Sequence, residues 1–277
     1  MQTPTTTPAA ETRYLNRPGG RVAYDVEGEG PLVVLIPGMG DLRATYRFLT
    51  PVLRTAGYRV AVTDLRGHGD SDTTFSAYGD VQTTGDVLAM IQELGGPAVI
   101  VGNSLGAAVA VLIAADHPDL VKGLVLVGPF VRNGKLSVIQ RVINRVAMAP
   151  IWAASVWKAY LPKLYAGQRP ADFETYRAQV IAGLRRPGHA RAFSRTTHAS
   201  HDPAEARLGD VTAPTLVIMG DRDPDFPDPK AEASWIAGTL HGEAVMVSEA
   251  GHYPQSQQPD ATSTAVLAFL RSVAAHA

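Results

Sequence analysis

The sequence predicts an α/β protein: a mostly parallel central sheet carries helices on both faces, and an all-helical lid is inserted between the two halves of this core. Short apolar runs alternate with helical stretches between residues 21 and 127, as in the strand–helix–strand units of parallel sheets. The alternation stops over residues 132–201, where prolines separate helical segments, and it resumes after residue 214. We therefore expect a disordered tail at residues 1–12 and an α/β core in two parts, at residues 13–130 and 202–277. The helical lid is expected at residues 131–201.

Each predicted element has a local signal. In the first half of the core, Gly- and Pro-containing turns separate apolar runs from amphipathic stretches, which predicts strands at residues 21–26, 32–36, 58–63, 98–101 and 121–127 and helices at about 42–56, 81–94 and 105–117. In the lid, the segments between prolines predict helices at residues 136–148, 151–161, 171–184 and 189–199. The second half of the core repeats the first pattern, with strands at residues 215–219 and 244–248 and helices at 229–238 and 260–275.

Composition limits the classes of function. The formal net charge of the 277 residues is −1, which gives no indication of nucleic-acid binding. The chain has no cysteine, so disulfides, thiolate metal sites and a cysteine nucleophile are excluded. No stretch reaches the roughly 20 apolar residues that span a bilayer, and the N-terminus lacks a signal-peptide pattern. We expect a cytoplasmic protein that acts on a small molecule without nucleic acid or membrane as a partner; nothing in the sequence indicates its oligomeric state.

The most informative feature is a serine on a predicted strand-to-helix turn. An apolar run leads into Gly102, Ser104 and Gly106, and a helical stretch follows at once. This context is typical of a nucleophile, because side chains at the two glycine positions would collide with the strained backbone that presents the hydroxyl. A serine hydroxyl is a weak nucleophile at neutral pH, so it needs a general base, an acid that orients the base and donors for the oxyanion.

Candidates for the base and the acid follow later strands. His252 lies in the loop after the strand predicted at residues 244–248, and of the eight histidines it alone stands where a strand end leads to the edge of the sheet that carries Ser104. His241 is the reserve candidate, although it belongs to the opposite, helix-to-strand end. Asp221 and Asp223 both follow the strand predicted at residues 215–219, and they compete for the role of the acid.

In these features the chain resembles the α/β-hydrolase fold family over about residues 20–128 and 205–275. The family's acid commonly lies in a Gly-x-x-Asp turn after the strand in question, which Gly220 and Asp223 match, and the chain order Ser, Asp, His is that of the family. Some relatives carry the acid one strand earlier, but here that loop begins Gly-Pro-Phe, with nothing ionisable. The resemblance therefore favours Asp223 over Asp221.

The resemblance also implies two backbone donors for the oxyanion. One is the N–H of Leu105, directly after the nucleophile, and the other is the N–H of Met39, in the loop after the strand at residues 32–36. The family usually has His-Gly in this loop, whereas this chain has Pro37 and Gly38, a departure that keeps the Met39 donor. The alternative for this loop is a simple turn.

The residues that bind substrate carry no motif. Gly38, Phe130, Trp152 and Tyr253 are our candidates, because they lie in the loops beside the predicted catalytic residues or in the lid. Most of the other lid aromatics are expected to pack within the lid.

The acidic run after residue 220 also imitates a calcium loop. Asp221, Asp223 and Asp225, with Glu232 at the twelfth position, have the spacing of calcium ligands. The sixth position of such a loop needs glycine for a sharp turn and here is Phe226, so we expect no metal site.

Charge is unevenly distributed along the chain. Residues 131–200 carry a net charge of +10, and the rest of the chain carries −11. One interpretation is a solvated helical surface partly docked on an acidic core. The other is a positive field over the entrance that attracts anionic substrates.

The resemblance implies a serine hydrolase that cleaves a carboxylic ester, lactone or thioester through a covalent acyl-enzyme, without metal or cofactor. The Gly-Asn-Ser-x-Gly motif also resembles that of hydrolases that cleave carbon–carbon bonds of ring-fission products, although those usually have a glycine-richer oxyanion loop. A cofactor-free haloperoxidase or perhydrolase would use the same triad. A small-molecule receptor on a hydrolase scaffold is the alternative from a different class.

Overall fold

The computed structural model describes residues 11–134 and 138–275. Within them the centre of the fold is one sheet, whose strands are β1 (Arg13–Arg17), β2 (Gly20–Glu27), β3 (Leu32–Ile36), β4 (Arg59–Thr63), β5 (Ala98–Asn103), β6 (Val121–Val127), β7 (Thr215–Gly220) and β8 (Glu243–Val247). The strand order is β1-β2-β4-β3-β5-β6-β7-β8. Strand β2 runs antiparallel to β1 and β4, whereas neighbouring strands from β4 to β8 are parallel. The predicted mostly parallel sheet is confirmed.

Helices connect the strands. They are α1 (Leu49–Thr55), α2 (Asp80–Glu93), α3 (Leu105–Asp116), α4 (Val138–Ala147), α5 (Ala153–Leu164), α6 (Phe173–Leu184), α7 (His189–Thr196), α8 (Asp202–Glu205), α9 (Pro229–Thr239), α10 (Pro254–Gln257) and α11 (Pro259–Ala275). Helices α4 to α7 follow β6, and the start of the helix predicted at residues 136–148 lies outside the described residues. The predicted tail lies outside them too, except for Glu11 and Thr12.

Both faces of the sheet are buried, which explains why its central strands are apolar at every position. In β3, Val33 and Leu35 belong to one core cluster, and the residues between and beside them belong to the other. Helices α1 and α11 cover the first cluster, and α2, α3 and α9 cover the second. Helix α3 is buried almost all round, as expected for a helix that is apolar on every side. The predicted layers of helices on both faces are confirmed.

One local prediction was wrong, and the first strand was missed. The helix expected at residues 42–56 is a short 3₁₀ turn, Arg43–Tyr46, followed by α1. Pro51 explains the break, because a proline is tolerated in the first turn of a helix but not inside a continuous one. Strand β1 was not predicted, since of its five residues only Leu15 is buried and the strand shows no apolar alternation.

The topology gathers the loops of the candidate site at one edge of the sheet. Strands β3, β5, β6, β7 and β8 are parallel neighbours, so the loops after all five leave the sheet at the same end. Met39, Ser104, Asp223 and His252 all lie at this end, after β3, β5, β7 and β8 respectively. None of the helices in the described part of the chain is both long enough and apolar enough to cross a membrane.

Candidate active site

The turn between β5 and α3 places Ser104 in a strained conformation. Its φ is 56° and its ψ is −121°, a region that side-chain-bearing residues rarely occupy. A Cβ on Gly102 would lie 2.2 Å from the carbonyl oxygen of Gly106, and one on Gly106 would lie 2.4 Å from that of Ile36. Both glycines are therefore required by backbone contacts, as the sequence indicated, and the tight turn they permit fixes the place of Ser104.

Hydrogen bonds join this turn to two neighbouring loops. The N–H of Ser104 donates to the carbonyl of Val127 (3.0 Å), and the N–H of Phe130 donates to the carbonyl of Ser104 (3.3 Å). The buried side-chain amide of Asn103 donates to the same Val127 carbonyl (2.9 Å) and to the carbonyl of His252 (3.2 Å). Asn103 thus holds the serine turn and the histidine loop together.

His252 and Asp223 form a buried pair. The Nδ1 atom of His252 lies 2.7 Å from Oδ2 of Asp223, and both side chains are almost completely buried. Asp221, the competing aspartate, is exposed and accepts a hydrogen bond from the Ser248 hydroxyl (3.2 Å) instead. His241 is exposed in the turn between α9 and β8, at the opposite end of the sheet.

A second carboxylate also faces the histidine. Asp225 Oδ2 lies 3.7 Å from Nδ1 of His252, and the backbone N–H of Asp225 donates to Oδ1 of Asp223 (3.1 Å). Burial on its own favours the neutral imidazole, but the charge and hydrogen bond of Asp223 and the charges of Asp225 and Asp41 outweigh it and raise the pKa of His252 to about 9. The protonated imidazole is therefore strongly stabilised at this position.

The loop after β3 lies directly against the serine. A Cβ on Gly38 would lie 2.9 Å from the Cβ of Ser104 and 3.4 Å from its Oγ, so the backbone leading to Met39 passes beside the hydroxyl. Leu105 is the first residue of α3, where a backbone N–H has no acceptor within the helix. The two predicted oxyanion donors thus belong to the two backbone segments that adjoin Ser104.

Three of the four predicted substrate-binding residues lie together. Gly38 contacts Ser104, and the rings of Phe130 and Tyr253 lie 5.6 and 5.2 Å from the His252 ring. Trp152 does not join them: it is 44% exposed, and its indole N–H donates to the carbonyl of Val146.

Trp157, rather than Trp152, is the tryptophan of this segment that contacts the loop after β3. Its indole N–H donates to the carbonyl of Gly40 (2.8 Å), and its ring packs on Phe193 of α7 at 5.2 Å. Since it lies one helical turn from the start of α5, its side chain faces the core, whereas Trp152 precedes the helix. Both positions carry the same side chain, so only the docking of α5 distinguishes them.

The candidate site is closed in this structure. Ser104, Asp223 and His252 are 5%, 1% and 2% exposed. Residues of α5, α6 and α7 form an apolar cluster that also includes Tyr253 and contacts Met39. A cleft of about 850 Å³ lined by Arg43, Arg47 and Arg186 opens elsewhere, between α6 and the loop after β3, and Ser104 does not line it.

The calcium-loop spacing is not used as one unit. Asp221 accepts a hydrogen bond from Ser248 and Glu232 pairs with Arg132, whereas Asp223 and Asp225 both face His252 and Asp225 also accepts a hydrogen bond from Tyr160. Asp225 and Tyr160 were missed as members of the site. The short Asp-x-Asp spacing was a usable signal for Asp225, but nothing near Tyr160 in the sequence points to it.

Asp41 is a further buried group that sequence analysis missed. It is 1% exposed, its Oδ1 accepts a hydrogen bond from the Tyr176 hydroxyl of α6, and Oδ2 has no hydrogen-bond partner among the described residues. Burial raises the pKa of Asp41 to about 6, although hydrogen bonds from Tyr176 and from the backbone of Leu42 oppose the shift. Asp41 therefore adds a negative charge near His252 at pH 7.

A doubly covered, mostly parallel sheet with a serine on its central strand-to-helix turn is the architecture of an α/β hydrolase. The sequence profile of the alpha/beta hydrolase family matches residues 33–265, and the chain belongs to that family.

Named relatives span nearly the whole chain. It is 29% identical to 2-(acetamidomethylene)succinate hydrolase of Mesorhizobium japonicum, over 91% of this chain and 92% of that protein. It is 27% identical to 2-hydroxy-6-oxononadienedioate/2-hydroxy-6-oxononatrienedioate hydrolase of Comamonas testosteroni, over 90% and 91% of the two chains. Among solved structures it resembles a thermophilic esterase from Thermogutta terrifontis, with a TM-score of 0.81, 24% identity and coverage of 95% and 99%.

Proposed function

We propose that this hydrolase is a serine hydrolase that cleaves a carboxylic ester, lactone or thioester through a covalent acyl-enzyme. The observation that carries the proposal is the strained turn at Ser104, which is linked through Asn103 to the loop of a buried His252–Asp223 pair. A strained residue between two glycines is maintained only where the surrounding structure enforces it, and such strain is concentrated at functional sites. The pair supplies the base and its orienting acid.

The proposed reaction has two halves. The Ser104 hydroxyl oxygen attacks the carbonyl carbon, and its proton passes to Nε2 of His252; the bond to the leaving group then breaks, and the leaving atom takes that proton. Water attacks the acyl-serine in the same way, gives a proton to His252, and releases the acid as Ser104 recovers its proton. Asp223 holds Nδ1 and stabilises the imidazolium, while the N–H groups of Met39 and Leu105 donate to the oxyanion.

The helices between β6 and β7 act as the lid in this proposal. Ser104 is nearly inaccessible, and the cluster formed by α5, α6 and α7 reaches Met39 and Tyr253 on either side of it. Substrate entry therefore requires these helices or the adjoining loops to move. Such a lid excludes water from the acyl-enzyme and strengthens the electrostatic interactions around it.

Covalent labelling tests the proposed nucleophile directly. We expect a fluorophosphonate to add once per chain, with the modification on the tryptic peptide that contains Ser104, and p-nitrophenyl acetate to release a burst of p-nitrophenol close to one equivalent. Intact-mass and peptide mass spectrometry measure the first result, and stopped-flow absorbance measures the second. A chain that binds these compounds without labelling or turnover would be a receptor on a hydrolase scaffold.

Carbon–carbon bond hydrolysis is the second candidate. Two relatives from Comamonas testosteroni are named 2-hydroxy-6-oxononadienedioate/2-hydroxy-6-oxononatrienedioate hydrolase and 2-hydroxy-6-oxo-6-phenylhexa-2,4-dienoate hydrolase, at 27% and 28% identity over 90% of this chain. The same serine, histidine and aspartate would serve that reaction, so labelling does not separate the two candidates. Loss of the dienoate absorbance of a vinylogous 1,5-diketone, compared with turnover of esters of graded acyl length, does separate them.

The substrate is proposed to carry a carboxylate. The named relatives act on a succinate derivative and on dienedioates, and residues 131–200 of this chain have a net charge of +10. Three cations of that segment are paired with carboxylates among the described residues: Arg132 with Glu232, Arg177 with Glu174, and Arg186 with Asp70. Among the described residues, Lys158, Lys163 and Arg185 of that segment are exposed and pair with no carboxylate, so their charge is available to attract anions.

Salt dependence tests this attraction. As salt rises from about 0.01 to 0.15 M the Debye length falls from roughly 30 to 8 Å, so kcat/KM for a carboxylate-bearing ester is expected to fall while kcat stays constant. A matched neutral ester is the control and should barely respond. Equal salt slopes for the two esters would mean that the basic segment is only a solvated surface.

A further inference from the structure

Two carboxylates, rather than one, face the same nitrogen of His252. Asp223 Oδ2 lies 2.7 Å from Nδ1 and Asp225 Oδ2 lies 3.7 Å from it. The two aspartates are also joined to each other, because the Asp225 N–H donates to Oδ1 of Asp223. A single acid is sufficient to orient an imidazole, so the second one needs its own explanation.

The second carboxylate is held by a helix of the segment between β6 and β7. The hydroxyl of Tyr160, on α5, donates to Oδ1 of Asp225 at 2.5 Å. Burial, and then the charge of Asp225, raise the pKa of Tyr160, so this phenol keeps its proton and remains a donor. Asp225 is only partly buried and would be free to turn towards solvent without this bond.

The same helix also contacts the other side of the site. One turn before Tyr160, the Trp157 indole donates to the carbonyl of Gly40, in the loop that follows β3. The two aromatic rings lie 5.9 Å apart. Helix α5 therefore has one hydrogen bond to the loop proposed to hold the oxyanion and one to the acid loop, and a movement of α5 alters both.

We propose that Asp225 is a positioning residue that serves His252 as a second carboxylate, and that Tyr160 makes its placement depend on the docking of α5. The inference rests on the proposed function, in which His252 is the general base. With α5 docked, two negative charges hold and stabilise the imidazolium that forms during acylation. When α5 lifts, Asp225 loses its tether and the base loses part of that support, so full catalytic power is confined to the closed site.

The groups around His252 decide how large the effect is. Three carboxylates act on His252, Asp223 and Asp225 from the loop after β7 and Asp41 from the loop after β3. Tyr253 lies beside the imidazole ring, and Tyr160 lies behind Asp225. His201, like His252, contacts the Phe130 ring. Asp223 contributes most, with both its charge and its hydrogen bond, and Asp225 is next. Removing the carboxylate of Asp225 thus leaves the imidazole oriented by Asp223 but with less negative charge near it.

Asp225→Asn gives the first test. Because the neutral imidazole is the base, kcat/KM of the native protein is expected to rise with pH through about 9. In Asp225→Asn this limb should move by about one unit to lower pH, and kcat on its alkaline plateau should fall while KM changes little. Asp221→Asn, an exposed carboxylate of the same loop, is the matched control and should leave the profile in place. Loss of activity at every pH without a shift of the limb would show a merely structural role and overturn the proposal.

Tyr160→Phe gives the second test, because it removes the tether and keeps the ring. If Tyr160 holds Asp225 against His252, the shift caused by Asp225→Asn should be smaller in the Tyr160→Phe background than in the native protein, a non-additivity that a double-mutant cycle measures. The same shift in both backgrounds would refute the coupling.

The pKa of His252 can also be followed by NMR titration of its ring protons, which needs no turnover. A shift in Asp225→Asn together with fluorophosphonate labelling of Ser104 supports both proposals. A shift without labelling refutes the proposed function and leaves the Asp225–His252 interaction standing. Labelling without a shift refutes the role of Asp225 alone.

Discussion

Ser104→Ala is expected to reduce kcat on any ester substrate by on the order of 10⁴-fold or more, and to abolish fluorophosphonate labelling. Without the hydroxyl no acyl-enzyme forms, and only the oxyanion donors and substrate binding remain to stabilise the transition state. The fold should be retained, because alanine keeps the Cβ of residue 104 and the backbone bonds to Val127 and Phe130. Steady-state kinetics and the thermal midpoint Tm of the purified variant measure the two effects separately.

Ser248→Ala is the matched control. Ser248 is also a serine directly after a strand, but it is exposed, and its hydroxyl donates to Asp221. Its removal should leave turnover and labelling unchanged. Near-native rates in pure Ser104→Ala would exclude the proposed mechanism, whereas a loss of Tm would mean that the serine has a structural role at the turn.

The sequence predicts best those elements for which the local residue pattern and the packing of the whole fold favour the same structure. This holds for the apolar run of β5, for the two glycines of the turn and for the uniformly apolar α3. The sequence of each favours one local structure, and that structure is observed. At Gly106 the sequence predicts that a side chain would collide with the backbone of the turn, and the structure shows that the carbonyl oxygen of Ile36 is the group it would meet. Sequence patterns of this kind report the backbone directly.

The failures have a common physical cause. Strand β1 forms because its backbone pairs with β2 over five residues, and its side chains show no apolar alternation that would indicate this pairing. Pro51 is a local signal for the break before α1, but the turn at Arg43–Tyr46 is held by distant partners of Arg43, namely Asp25 and Asp64, which lie 18 and 21 residues away along the chain. Local periodicity cannot encode such partners.

The residues of the candidate site likewise fall into those that the sequence could predict and those that it could not. His252 and Asp223 follow strand ends, and the topology of a parallel sheet determines where strand ends meet. Tyr160, Trp157 and Asp225 meet through the docking of α5, which depends on how an inserted segment packs on the core. That packing has no repeating pattern in the sequence, so Trp152 and Trp157 could be distinguished only in the structure.

Asp223→Asn has the second-largest expected effect. An asparagine at 2.7 Å from Nδ1 removes the charge that stabilises the imidazolium and can present its amide N–H to the ring, which favours the wrong tautomer; the expected loss in kcat is up to about 10⁴-fold. Steady-state kinetics over a range of pH measure it. Asp221→Asn, whose carboxylate bonds to Ser248 instead, should cost far less.

The size of the Asp223→Asn loss depends on its neighbour. Because Asp225 also faces Nδ1, part of the support for the imidazolium survives in the single variant, and adding Asp225→Asn should reduce kcat further. If Asp221→Asn were instead the more damaging change, the acid of the triad would be the exposed aspartate, and the buried pair would be only a structural contact. The ranking of the two aspartates therefore tests whether the short bond between Asp223 and His252 is the one that catalysis uses.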